Sequence, residues 1–411
     1  MSTGHLSQRV QELLVRGVRM PHPESVQVDP GIQPARIAAD VTLHPGCRLS
    51  GEQTSIGPGC VIGAEMPATI EDCQLGARVE LKGGYFAGAV FLDGSGMGSG
   101  AHVRPGTVLE EESSGAHTVG LKQTILFPYV TAGSLINFCD VLMGGGTSRK
   151  HHSEIGSSYI HFNFTPHQDK ATASLLGDVP RGVLLDQPPI FLGGQGGLVG
   201  PVRIGFGCVI PAGVVNRQDA PGDGLILYPP VEPARAPRPY RSGVYRDAAR
   251  ILRRNLDYIG QVRALREWYR HVRVLFMTGV YHRFCWEGAL RQLDAVEQER
   301  RKRLQEFVGK LAGSAAQLRQ DGSDAAHRQA VEQEQIVQAW PRIEAALQQA
   351  GDGARERATF LREATPLAAG RDYLSFAPGL PKAAKALATA WLQAVVDSTA
   401  GAWQVDVARR A

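Results

Sequence analysis

The run IAADVTLHPGCRLSGEQTSIGPGCVIG, residues 37–63, sets Ile37, Leu43 and Leu49 six residues apart, and Ile56 and Ile62 repeat the interval. The spacing returns in Leu75 and Leu81, in Met97, Val103 and Leu109, and in Ile204 and Ile210. A small residue often follows the aliphatic, as in Ile56-Gly57, Ile62-Gly63, Leu75-Gly76 and Ile204-Gly205. A small or β-branched residue usually sits two before it, as Val41 does before Leu43 and Cys60 before Ile62. An α-helix would repeat its apolar face at threes and fours. A β-sandwich has short strands and glycine turns, but no sustained six-residue phase. The pattern predicts short strands joined by tight turns, with three hexads closing one triangular coil and the aliphatic pointing inward. Glycine serves where a side chain would strain the turn. The expected fold is a parallel β-solenoid.

Composition agrees. The chain has 48 glycines in 411 residues, well above the usual ~7%. Its 25 prolines come with no Gly-X-Y period, which excludes collagen. Lys and Arg total 44 against 40 Asp and Glu, an excess of 4 that does not point to nucleic acid. No run approaches the ~18 continuous apolar residues of a membrane span. The opening MSTGHLSQRVQELLVRG lacks a hydrophobic signal region, so a reducing, cytoplasmic setting is expected. None of the six cysteines forms a CxxC pair. Cys47, Cys60 and Cys73 recur every 13 residues and read as small buried residues at equivalent places in the repeat. A three-cysteine metal site is the alternative.

The chain changes character near residue 230. Residues 1–30 form a lead-in, and 31–227 are expected to form the solenoid, with loops leaving it at about 143–154 and 177–200. PPVEPARAPRPYRSG, within 228–243, is a proline-rich linker that can hold neither helix nor sheet. Residues 244–411 read as a helical domain. Leu252, Leu256, Ile259, Val262, Leu265 and Tyr269 recur mostly at threes and fours, and later runs lie at 323–348, 354–363 and 380–409. The basic stretch with Arg241, Arg246, Arg250, Arg253 and Arg254 fits a solvated helix face or a surface for a phosphate-bearing partner. The helical domain is a candidate docking module for a protein partner.

Further motifs give a family resemblance. ELLVRGVRMPHPESVQVDP resembles the entry into the left-handed β-helix of hexapeptide-repeat acyltransferases, in particular the acetyltransferase half of the bifunctional N-acetylglucosamine-1-phosphate uridyltransferase/glucosamine-1-phosphate acetyltransferases. AHVRPGTVLEEESSGAHTVGLKQT resembles the family's "RPG … VG … VK" stretch, with the same 18-residue interval from Arg104 to Lys122, and SYIHFNFTPHQDKAT resembles its "N-Y-D-G … K-T" stretch. The resemblance spans roughly residues 10–217. It implies a left-handed solenoid, a homotrimer and an acetyl-CoA or other acyl-CoA donor. About 30 residues precede the coils, so no uridyltransferase activity is expected. The family has nothing comparable to the helical domain.

By the same resemblance, Arg104 and Lys122 bind the sugar phosphate, Asn163 and Phe164 stand at the family's substrate-touching Asn-Tyr pair, and Lys170 falls near a family lysine. Arg203 is the candidate for the coenzyme's phosphates. The family's base is a histidine. Here Ser134 holds that position and Asn137 that of a nearby tyrosine. Serine cannot accept an amine proton near neutral pH, whereas histidine can. The histidine-rich stretch that follows supplies His151, His152, His161 and His167 as replacement bases, or as ligands for zinc. Three functions stand: an acyl-CoA-dependent acyltransferase on an amino-sugar phosphate or nucleotide-sugar-like substrate, a lapsed enzyme that binds such a ligand as a scaffold, and a metal-dependent enzyme of the carbonic anhydrase type.

Overall fold

The computed structural model describes residues 6–222, 224–227, 240–349 and 351–403. A short helix, α1 (Gln8–Val15), is capped by the Ser7 hydroxyl and caps the first coil. The coils that follow are parallel and stack on three faces. Face 1 is a nine-stranded ladder running from Thr42–Leu43 through Gly96–Met97 to Val209–Ile210. Face 2 includes Arg48–Ser50, Ala68–Glu71, Gly84–Ala87 and Ala101–Val103. Face 3 includes Ser55–Ile56, Gln74–Leu75, Ala89–Phe91 and Thr107–Leu109. Two seven-residue strands, Gly120–Leu126 and Asn137–Met143, pass from face 2 onto face 3 without a break.

All twelve aliphatics of the six-residue series are at most 2% exposed, which is why the period is so regular. Cys47, Cys60 and Cys73 each lie two residues before an inward aliphatic, and all are buried free thiols. The glycine after the aliphatic has a steric cause. A Cβ on Gly57 would lie 2.4 Å from the Gly76 carbonyl oxygen of the next coil. The left-handed corners themselves are often not glycine: Gln123 has φ 52° and Asp140 φ 65°.

The excursion expected at 143–154 is an antiparallel hairpin, Gly146–Ser148 with His151–His152. The one expected at 177–200 is shorter. It contains α2 (Val179–Gly182), but Phe191–Leu192 and Gly197–Val199 are already back in the ladder. Residues 163–173 form a further excursion between the strands Ile160–Phe162 and Ser174–Leu176. Most of the linker lies outside the described residues, as do residues 404–409 of the last expected helical run.

The helical half contains α3 (Ala248–His271), α4 (Val280–Arg319), α5 (Asp324–Gln348), α6 (Ala354–Ala364), α7 (Tyr373–Phe376) and α8 (Lys382–Ala400). It is not a free appendage. α4 lies along face 3, and α3 is packed between α4, α8, α2 and the solenoid. Tyr258, Val262, Leu265, Trp268 and Tyr269 of α3 therefore join one apolar core with the coil interior. At the crossing, a Cβ on Gly288 would lie 2.1 Å from the Gln74 Oε1 atom, so only glycine permits this approach without a shift. Along its enclosed face α3 also buries Asn255, Asp257, Gln261, Arg263 and Glu267, and Arg263 is neutralised by Glu297 at 2.6 Å. No helix among the described residues is long and apolar enough to cross a membrane.

Candidate functional site

The corner between faces 2 and 3 carries most of the expected substrate residues. Strand alternation turns Val103 inward and leaves His102 and Arg104 on the outer side. The ladder places Leu121 against Val103 and Phe138 against Leu121, so Arg104, Lys122 and Cys139 follow one another on three successive coils. Arg104 Nη2 donates to the Cys139 Sγ atom, 3.6 Å away. Among the described residues, neither Arg104 nor Lys122 has a carboxylate within 4 Å, and the Arg104 Nε atom is buried without a partner. Two half-buried cations with no carboxylate in ion-pair contact among the described residues offer an anion site, with Glu299 and Asp140 as more distant charges.

Burial, with the Asp140 charge, pushes the Cys139 thiol up despite the opposing pull of Arg104 and Lys122. It stays protonated at neutral pH and is no nucleophile. Asp140 is buried at the corner, where one carboxylate oxygen meets Arg300 Nη2 of α4 at 2.8 Å. The other accepts from Asn163 Nδ2 at 3.0 Å. Asn163 thus joins the Arg104–Lys122 corner, whereas its neighbour Phe164 is 59% exposed. Lys170 contributes its carbonyl, which accepts from Arg300 Nη1 at 3.1 Å.

The four histidines do not converge. His161 points into the coil interior, 2% exposed, with ring nitrogens 2.6 Å from the Cys139 carbonyl oxygen and 2.8 Å from the Ser174 hydroxyl. Burial pulls its pKa down to about 4. It is a neutral core residue, already partnered on both nitrogens, and not a free base. His167 lies in the 163–173 excursion, stacked on Tyr240 at 5.8 Å, its Nδ1 accepting from the Gly243 amide at 3.1 Å. His161 and His167, six residues apart in sequence, do not share a level of the coil, because the chain leaves the ladder between them. His151 and His152 sit on the hairpin between face 3 and face 1. Arg149 of that hairpin donates to the Glu112 carbonyl, which puts them on a different edge from Arg104. Among the described residues, no three His, Cys, Asp or Glu side chains are grouped to hold a metal ion.

Arg203 is also committed elsewhere. Its guanidinium pairs with Asp257 at 3.1 Å and approaches Asp178 at 3.9 Å, so it braces α3 and α2 against the coil. Ser134 lies at the face 1–face 2 corner, its amide donating to the Ser157 hydroxyl.

His102 is the residue that the sequence reading passed over. It stands two positions before Arg104, on the strand Ala101–Val103 that Arg104 directly follows, exposed, with its ring 5.2 Å from that of Tyr85. The signal was the alternation rule, which sends residues two apart to one face. A cleft of about 690 Å³ lies elsewhere, between Asp93, Glu111 and the segment 365–374, and one of about 460 Å³ surrounds His167, Tyr240 and Arg250. Neither includes Arg104 or Lys122.

No family model matches the chain. Curated relatives do. It is 35% identical over 216 residues to the "Bifunctional protein GlmU" of Thermus thermophilus, covering 53% of this chain and 43% of that protein. It is 30% identical over 238 residues to the one from Pelobacter propionicus, covering 57% and 44%. It is 29% identical over 231 residues to the one from Geotalea uraniireducens, covering 56% and 44%. The chain spans less than half the length of these relatives.

Proposed function

From homology to the acetyltransferase domain of GlmU and a solenoid that matches the hexapeptide-repeat acyltransferases, we propose that this chain is an acyl-CoA-dependent acyltransferase acting on an amino-sugar phosphate. The observation that carries the reading is the pair of cations, Arg104 and Lys122, at equivalent positions on successive coils and, among the described residues, in no direct ion pair. An arginine fork and an ammonium suit a phosphate dianion. Asn163, fixed by Asp140, supports the sugar end. For the base we propose His102, exposed and two positions before Arg104, which would take the proton from the sugar amine as its nitrogen attacks the thioester. When bound, the acyl-CoA would supply the activated acyl group, with the coenzyme A thiol as the leaving group. Arg203, paired with Asp257 and close to Asp178, is engaged away from such a donor. The outward apolar side chains Ile160, Phe162 and Val215 on face 2 support assembly with further copies, as a trimer would require.

Titration calorimetry with a hexosamine 1-phosphate tests the binding, and release of free coenzyme A thiol tests the transfer. Arg104→Ala should weaken binding by about tenfold or more. Unchanged affinity refutes the site. His102→Gln should leave binding intact and slow transfer by about 100-fold.

A second reading has its own support. Ser134 stands where the resemblance expects the base, and His161 is locked in the core. A chain that binds the sugar phosphate and releases no coenzyme A would be a binding protein. A metal-dependent hydration has less support, since the histidines point to separate places.

A further inference from the structure

The excursion 163–173 carries Asn163 but takes no part in the ladder, so other contacts must hold it. They come from the helical half. Lys310 Nζ donates to the carbonyls of His167 and Gln168 at 2.9 Å each. Asn255 Nδ2 donates to the Ala171 carbonyl at 2.9 Å, and the Tyr245 hydroxyl donates to Asp169 at 3.3 Å. Arg300 is the central brace. One arm donates to the Lys170 carbonyl at 3.1 Å and the other meets Asp140 at 2.8 Å. The Arg300 and Asp140 side chains are 2% and 4% exposed, so this pair is desolvated and its geometry is closely specified.

Asp140 passes that constraint on. An ionised carboxylate only accepts hydrogen bonds, so the Asn163 group facing it at 3.0 Å must be the amide nitrogen. The carboxamide oxygen is then left as an acceptor, suited to a hydroxyl or ammonium group of a bound sugar. Without a charged Asp140, either orientation of the amide could serve. We infer that Arg300 is a positioning residue: through Asp140 it sets the orientation of Asn163, and the helical half thereby governs recognition of the sugar rather than of the phosphate. The inference rests on the reading of the Arg104–Lys122 corner proposed above.

The test uses the full chain and two probes, inorganic phosphate and a hexosamine 1-phosphate, in titration calorimetry. Arg300→Met should weaken the hexosamine 1-phosphate about tenfold while leaving inorganic phosphate unchanged, because Arg104 and Lys122 are untouched. Arg300→Lys should recover most of the loss. Adding Asn163→Ala to Arg300→Met should cost nothing more, since both act on one contact. Asp140→Asn, which keeps the shape but not the charge, should reproduce the selective loss if Arg300→Met does not fold. Equal loss for both probes, or additive losses in the double variant, overturns the inference while the anion site stands. A wild-type chain that binds neither probe, or an Arg104→Ala chain that binds both normally, overturns the underlying reading and this inference with it.

Discussion

Glu110 offers a stringent test of how the two halves are joined. It is 2% exposed at the seam between the solenoid and α3, and its Oε1 atom accepts from the Tyr269 hydroxyl at 2.7 Å. Burial pushes its pKa up to about 7, with the neighbouring Glu111 charge adding and Arg273 opposing. In an unfolded chain the midpoint is near 4.5. The folded state therefore holds a proton that the unfolded state gives up as pH rises through the window from 4.5 to 7. Stability from this group is complete below 4.5 and is lost by the time pH exceeds 7. At ~1.4 kcal/mol per pH unit the loss is about 3 kcal/mol. Glu110→Gln resembles the protonated acid, keeps a carbonyl acceptor for Tyr269 and carries no charge. It should match wild type at pH 4.5 and exceed it by about 3 kcal/mol at pH 8. Urea melts of both chains across this range, followed by the fluorescence of the nearby tryptophans, measure the difference. Titrating groups remote from Glu110 cancel between them. A stability difference that stays constant from pH 4.5 to 8 refutes the argument.

Three further outcomes follow from contacts already described. Gly288→Val should lower stability by about 1–3 kcal/mol by pushing α4 off Gln74, seen as a lower Tm with faster hydrogen exchange in α4. His161 is neutral in the fold, so its contribution is complete above pH 6.5 and is lost as pH falls towards 4. His161→Phe should flatten that part of the stability profile in acid melts. Arg203→Ala should loosen α2 and α3 and lower the Tm, while acetyl-CoA affinity, read by calorimetry, stays within about twofold.

The solenoid was legible because its rule is local. Every coil must bury a side chain at the same step, so Ile37 through Ile210 announce the fold without knowledge of any partner. The helices were legible for the same reason, since α5 and α6 begin and end close to where their apolar period does. The Arg104–Lys122 adjacency also follows from the coil length, because residues one turn apart must stack. The loop ends were less visible. Phe191 and Gly197 returned to the ladder amid glycines and prolines that read as irregular.

Sequence alone determined the coil, the helices and the row of cations, all of which depend on spacing along the chain. Tertiary structure decided what those parts meet. It turned His161 inward, gave Arg203 to Asp257, sent His151 and His152 to another edge, and brought Arg300 of α4 onto Asp140. Such encounters depend on how α4 crosses face 3, and that crossing is set by side-chain shape at positions such as Gly288, far in sequence from the residues it joins.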